Sequence, residues 1–100
     1  VVRRMTGHLV EQFTETIIGV HLHSAPANRR EKLQAALDAG CRRFDGAING
    51  IGGCQMADDE LVGNMDTVEM VHYFKSLGFS TGIREAELSD CMLMANTIFV

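Results

Sequence analysis

Apolar positions along the first forty residues change period twice. From about Arg3 to Glu15 they fall at Met5, Leu9, Val10 and Phe13, the spacing of one helical face. Gly7 weakens that helix by about 1 kcal/mol relative to alanine. The next stretch, "TIIGVHLH" (Thr16 to His23), reads as a strand. Alternation then puts Ile18, Val20 and Leu22 on one face and Gly19, His21 and His23 on the other. The period lengthens again in "SAPANRREKLQAALDAG", Ser24 to Gly40, where Leu33, Ala36 and Leu37 form a stripe. Ser24 is placed to cap this helix, Pro26 suits its first turn and Gly40 closes it.

The second half begins with a short strand, "CRRFDGAI", which opens into the glycine-rich "NGIGGC", Asn49 to Cys54. "QMADDELVGN", Gln55 to Asn64, reads as a loop or a broken helical turn. A helix is predicted over "DTVEMVHYFKSLG". Asp66 and Glu69 resemble a capping box there, Met70, Val71, Phe74 and Leu77 make the stripe, and Gly78 ends it. "FSTG" is a turn, and "IREAELSDCMLMANTIF" a last helix with Leu88, Cys91, Met92 and Ala95 toward a core. Its methionines read as core filling.

This order is a βαβ unit with flanking helices, so the fold class is α/β. The crossover is long enough for parallel strands, and a right-handed connection is the strong default. Two strands complete neither a sheet nor a barrel, so their apolar faces need other strands beside them. The start "VVRR" and the apolar end "TIFV" agree with an excerpt of a larger parallel α/β fold.

Composition narrows the function classes. One hundred residues suit one domain, and 46% hydrophobic residues with a net charge of −4 suit a soluble globular one. An acidic balance argues against nucleic acid, whose phosphates reward basic patches. No apolar run approaches the about 20 residues of a membrane span, and the start is too polar for a signal peptide. Cys41, Cys54 and Cys91 are odd in number and lack a C-x-x-C pair. Reduced thiols inside a cell fit that pattern better than a disulfide framework.

Ligands of α/β folds sit beyond the carboxyl ends of the strands. His21 and His23 lie at that end of the first strand, and "NGIGGC" at that end of the second. Two imidazoles on one strand face can form half of a metal site; the plainer reading is a pair of solvent-facing or core-satisfied histidines. Cys54, at the tip of a glycine-rich loop, is placed like a mobile acid, base or nucleophile. Cys41 and Cys91 are expected to plug packed elements.

"GVHLH", then "FDGAINGIGGC", then "GNMDT" before a helix, in this order, resemble the C-terminal part of hydroxymethylglutaryl-CoA lyase. The resemblance runs from about Gly7 to the end. H-x-H is shared with isopropylmalate and homocitrate synthases, whereas G-x-G-G-C is more specific to the lyase. The resemblance implies a (β/α)8 TIM barrel, with residues 1–100 a single partial domain holding its last two strands. It also implies cleavage of 3-hydroxy-3-methylglutaryl-CoA to acetyl-CoA and acetoacetate with Mg2+ or Mn2+, a step of leucine degradation and ketone-body formation. Carried over position by position, His21 ligates the metal and takes part in proton transfer. His23 is the second imidazole ligand, Asn64 gives a side-chain oxygen, and Cys54 is the thiol of a mobile loop.

Some positions depart from the family pattern. Ser24 stands where many members have aspartate, Gln55 replaces a common proline, and Val68 stands at a usual glutamate with Glu69 one place later. Asp45 falls on a common aspartate and reads as structural. The early Asp-Arg motif, source of a carboxylate ligand and an enolate-stabilising arginine, is not in this sequence. The expected partners are an acyl-CoA substrate and either further copies of the chain or the missing barrel strands, with no nucleic acid and no membrane. The expected location is cytoplasmic in a bacterium and the mitochondrial matrix in a eukaryote. Three other readings stand beside the lyase. They are a condensing relative, a non-catalytic module that closes a ring from about four copies, and a zinc site of His21, His23 and Cys54.

Overall fold

One extended segment, residues 19–24, changes partner midway, and the rest of the fold is arranged around that change. The computed structural model describes residues 1–55 and 61–99. Helix α1 (Val2–Gln12) leads to strands β1 (Gly19–His21) and β2 (His23–Ser24), which meet at Leu22. Helix α2 (Arg29–Asp38) crosses over to β3 (Arg43–Asp45). A 3-10 turn at Ile48–Gly50 then precedes β4 (Gly53–Gln55), β5 (Leu61–Asn64), α3 (Thr67–Ser76) and α4 (Glu85–Ile98). β1 pairs in parallel with β3, with Val20 opposite Phe44 and His21 opposite Asp45. β2 turns instead to β5, antiparallel, with His23 opposite Asn64. β5 also pairs with β4, so it is the centre of a three-stranded antiparallel sheet.

The parallel pair and its helical crossover are as the hydrophobic pattern predicts. The predicted loop over Gln55 to Asn64 is corrected: Gln55 ends β4 and Leu61–Asn64 form β5. Residues 56–60 lie outside the described part. The short run "LVGN" is too brief to show a period, and its pairing with β2 and β4 fixes it as strand. Cys54 is likewise corrected from the tip of a loop to a position in β4, opposite Val62 of β5. The predicted single strand Thr16–His23 starts at Gly19 and divides at Leu22.

Helix termini follow cap chemistry more closely than composition. Asp66 caps α3, accepting a hydrogen bond from the Val68 N–H at 3.0 Å. Ser24 does not cap α2. It is buried in β2, where its hydroxyl donates to the Met65 sulfur at 3.4 Å. Pro26 falls in the turn ahead of α2, whose N-cap position is Asn28. The Asn28 side-chain oxygen accepts from the Ala25 N–H at 2.9 Å, closing that turn.

Leu33, Met65 and Met70 form the buried core, with Leu22, Phe44, Tyr73 and Phe74 packed against it. The Phe44 and Phe74 rings lie 4.6 Å apart, joining β3 to α3. The α2 stripe Leu33, Ala36, Leu37 is buried as predicted. The α1 stripe is not: Met5, Leu9 and Phe13 are exposed and Thr6 is the buried residue, because α1 meets α2 through Gly7 and Ala39. On α4, Ala95 is buried and Leu88 and Met92 are half-buried, but Cys91 is exposed, which corrects its assignment to the packed face. Leu93, Met94, Ile98 and Phe99 are also bare.

The accessible surface of 7037 Å² exceeds the about 5,600 Å² of a compact chain of this mass. The radius of gyration, 14.4 Å, likewise exceeds the about 13 Å expected of 100 compact residues.

Cys41 is fully buried, and its thiol donates to the Arg43 carbonyl at 3.1 Å. Brief iodoacetamide treatment followed by peptide mass spectrometry is therefore expected to label Cys91 and leave Cys41 unmodified. Labelling of Cys41 as fast as Cys91 would contradict this packing.

Candidate functional site

The change of partner at Leu22 determines which side chains meet. The Met65 N–H donates to the Leu22 carbonyl at 3.1 Å. In an antiparallel ladder, hydrogen-bonded and non-bonded pairs alternate, so the adjacent His23–Asn64 pair is non-bonded. Side chains of a non-bonded pair stand closer together, with Cα atoms about 4.5 Å apart. His21, two residues before His23, projects to the same side of the extended chain. The two imidazole rings lie 5.4 Å apart and nearly perpendicular, at 78°. His21 Nε2 is 3.1 Å from Asn64 Oδ1. The structure therefore brings His21, His23 and Asn64 together, from residues up to 43 positions apart.

The Asn64 amide is held in one orientation. Its Nδ2 donates to the Ile51 carbonyl at 2.8 Å, which turns Oδ1 toward His21. The Asn64 N–H donates to the Gly52 carbonyl at 3.1 Å. Gly50 and Gly52 make this wrapping feasible. Both have positive φ, 65° and 83°, where L side chains are strained. A Cβ at Gly50 would lie 2.8 Å from the Asn64 carbonyl oxygen, and one at Gly52 3.0 Å from Nδ2. The glycine-rich segment thus acts as a close-fitting cradle around the amide. Asn49, also left-handed at φ 59°, donates from Nδ2 to Asn96 Oδ1 on α4 at 2.7 Å, tying the cradle to the last helix.

His23 Nδ1 is buried and has no hydrogen-bond partner among the described residues. A buried polar atom without a partner costs about 1–3 kcal/mol, so it is a feature that a ligand can relieve. Two imidazoles and an amide oxygen are a donor set suited to a divalent ion of intermediate hardness. Among the described residues no group of three His, Cys, Asp or Glu side chains is close enough to hold a metal by itself. The convergence depends on the amide as third donor. The Asp45 carboxylate lies 4.0 Å from Arg43 Nε, with both side chains exposed.

Of the other positions singled out in the sequence, Cys54 and Gln55 are placed by backbone alone, in β4. Val68 contributes its N–H to the α3 cap, and Glu69 is half-buried in the first turn. Sequence reading missed two contributors: the Ile51 carbonyl, and Lys32, whose Nζ donates to the His23 carbonyl at 2.6 Å. A main-chain acceptor leaves no residue-type signal, and a lysine on a helix reads as a solvated charge.

A parallel strand pair with a crossover helix, and polar side chains gathered just beyond the carboxyl end of β1, define an α/β protein with a candidate site on the strand rim. The sequence profile of the HMGL-like family matches residues 1–95, and the chain belongs to that family. It is 36% identical over 75 residues to (R)-citramalyl-CoA lyase of Chloroflexus aurantiacus, covering 75% of this chain and 23% of that protein. It is 27% identical over 81 residues to cytoplasmic 3-hydroxy-3-methylglutaryl-CoA lyase of Homo sapiens, covering 81% and 22%. Among solved structures, an HMG-CoA lyase from Acinetobacter baumannii in complex with coenzyme A and 3-methylmalate superposes with a TM-score of 0.73. The sequence identity there is 30%, over 87% of this chain and 28% of that one. The chain thus spans about a quarter of the length of the lyases it matches. Relatives include cytoplasmic and mitochondrial proteins. Among the described residues no helix is long and apolar enough to cross a membrane.

Gly52→Ala and Gly78→Ala separate backbone strain from the cradle, because both glycines have positive φ but only Gly52 faces Asn64. Each is expected to lose about 1–2 kcal/mol in urea unfolding from the left-handed backbone. Only Gly52→Ala should also shift the Asn64 side-chain amide resonances in an NMR spectrum.

Proposed function

We propose that this chain carries the strand-rim half of the active site of a divalent-metal carbon–carbon lyase. Its substrate would be a 3-hydroxyacyl-CoA of the 3-hydroxy-3-methylglutaryl-CoA type. The observation that carries the reading is the meeting of His21 Nε2 and Asn64 Oδ1 at 3.1 Å beside His23, whose Nδ1 is buried without a partner. Family membership and the lyase relatives support it. His21, His23 and Asn64 are the residues that would hold the ion, Mg2+ or Mn2+.

When bound, such an ion polarises oxygen atoms of the substrate and favours loss of its hydroxyl proton. By its match to the lyase motif, His21, exposed beside the other two donors, is the group we assign to that proton transfer. Loss of the proton lets the C3 oxygen become a carbonyl as the C2–C3 bond breaks. Acetoacetate leaves with the new carbonyl, and the electron pair of the broken bond remains on the acetyl-CoA enolate. A proton delivered to C2 completes acetyl-CoA. By its match to the lyase motif, Cys54 is the donor we assign to that step. The carbonyl of Ile51 keeps the Asn64 oxygen, rather than its nitrogen, turned toward the reacting side.

We also assign residues 1–100 to one partial domain, the C-terminal portion of a TIM barrel containing its last two parallel strands. The 7037 Å² of accessible surface and the bare side chains of Met5, Leu9 and Phe13 support that assignment. The partners that fit are the remaining barrel strands or further copies of the chain, together with the acyl-CoA.

In a chain extended through the preceding strands, replacing His21 or His23 with alanine is expected to weaken Mn2+ binding at least tenfold, about 1.4 kcal/mol, measured by electron paramagnetic resonance of free Mn2+. Equal binding by both variants and the unaltered protein would refute the donor set.

The 100 residues alone are expected to release no measurable acetoacetate at saturating Mn2+. Loss of one electrostatic stabiliser such as the family's arginine costs about 3–4 kcal/mol, or about a hundredfold to a thousandfold. A chain extended through the six preceding strands should be active; equal turnover by the two would mean that the site is misassigned.

A further inference from the structure

We infer that Lys32 is a positioning residue for His23: its ammonium group holds the His23 main-chain carbonyl and so sets the direction of the imidazole. The inference rests on the metal reading of His21, His23 and Asn64. Because the Leu22 carbonyl accepts from Met65, the His23 carbonyl, one residue on, points away from β5. β2 is the edge of its sheet, with β5 as its partner. An edge carbonyl of this kind ordinarily meets water or another strand.

Here it meets Lys32 Nζ at 2.6 Å, a short charge-assisted hydrogen bond. Lys32 is half-buried, and among the described residues its ammonium group makes no ion pair. That contact with a main-chain carbonyl distinguishes this lysine from those spent on solvated helix faces.

The lysine is anchored at its other end. Leu33, next in sequence, is 1% exposed at the centre of the core, so the helix turn carrying Lys32 does not drift. A carbonyl fixed in direction fixes ψ of His23, and with it the bond from Cα to Cβ. The neighbouring Ser24 hydroxyl, donating to Met65 Sδ at 3.4 Å, secures the far side of the same peptide group. His23 needs such external support, since its Nδ1 has no hydrogen-bond partner to orient the ring.

The test uses the whole chain with Lys32→Met, Lys32→Gln, Lys32→Arg and His23→Ala, titrated with Mn2+ alone and followed by electron paramagnetic resonance. Thermal unfolding without metal is recorded in parallel. The expected result is a three- to tenfold weaker Mn2+ affinity for Lys32→Met and Lys32→Gln. Lys32→Arg should recover at least half of the loss on a logarithmic scale. In the metal-free proteins, the 13C resonance of the His23 carbonyl should move upfield in the methionine and glutamine variants and stay near its place in the arginine variant. If His23→Ala weakens binding while Lys32→Met and Lys32→Gln bind as the unaltered protein does, the inference about Lys32 is overturned and the metal reading stands. If His23→Ala binds Mn2+ unchanged, the metal reading itself fails, and this inference with it. A lower melting temperature in one lysine variant is controlled by the other. Affinity loss that follows stability and not the carbonyl resonance would assign Lys32 a merely structural role, against the inference.

Discussion

Everything at the site follows from one hydrogen bond, Met65 N–H to Leu22 carbonyl at 3.1 Å. It marks the residue at which the histidine strand leaves its parallel neighbour and joins an antiparallel one. On one side of that point, His21 sits in register with Asp45; on the other, His23 sits in register with Asn64. A strand that stayed with β3 throughout would keep its two histidines on one face and have no third donor beside them. The switch brings in β5, and with it the amide. A one-residue slip in that register would turn His23 to the opposite face from Asn64, since strand side chains alternate. The buried contacts of Met65 and Ser24 flank the pair and resist such a slip.

The glycine-rich segment has a different role from the one its composition suggests. Three glycines in four positions, Gly50 to Gly53 with Ile51 among them, read as freedom of motion. Two of them instead permit close approach of backbone to Asn64, at distances where a Cβ would collide. Glycine there serves a close backbone contact. The same segment continues into β4, and Asn49 fastens its start to α4. The stretch that looks loosest in the sequence is therefore held at several points.

How much of this was legible beforehand depends on the range of the signal. The stripe Leu33, Ala36, Leu37 and the Asp66 cap are local patterns, and both hold. The i, i+2 spacing of His21 and His23 is local too, and their shared face follows from it. β4 and β5 were not legible as strands, because three- and four-residue strands carry almost no period and their identity rests on pairing. Ser24 shows the opposite failure. Its residue type is a good cap, but β5 lies beside it and a buried sulfur acceptor takes its hydroxyl. The α1 stripe misled for a third reason: Met5, Leu9 and Phe13 have the right spacing for a core face, yet no described element covers them. Motif order carried the assignment of Asn64, which spacing alone would not have linked to a histidine 43 positions earlier.

On the proposed reading, the site and the surface call for the same neighbour. Two imidazoles and one amide oxygen bring no negative charge to a divalent ion, and hard cations draw most of their affinity from carboxylates. The apolar faces of α1 and α4 bring no partner to the surface they leave open. In a closed parallel barrel, the strands that cover such faces also end on the same rim as His21 and His23. If the chain is part of such a barrel, as proposed, the segment that would remove apolar surface from water would also be the one able to bring an acidic ligand to the proposed ion. Burial and charge neutralisation would then be coupled: further barrel strands without acidic rim residues would cover the apolar faces but leave the proposed ion weakly held. Supplying a carboxylate without the strands would add a donor with nothing to hold its position. The present chain fixes the positions of His21, His23 and Asn64 through Leu22, Met65 and the glycine cradle, and on the proposed reading both remaining requirements would fall to one neighbouring structure.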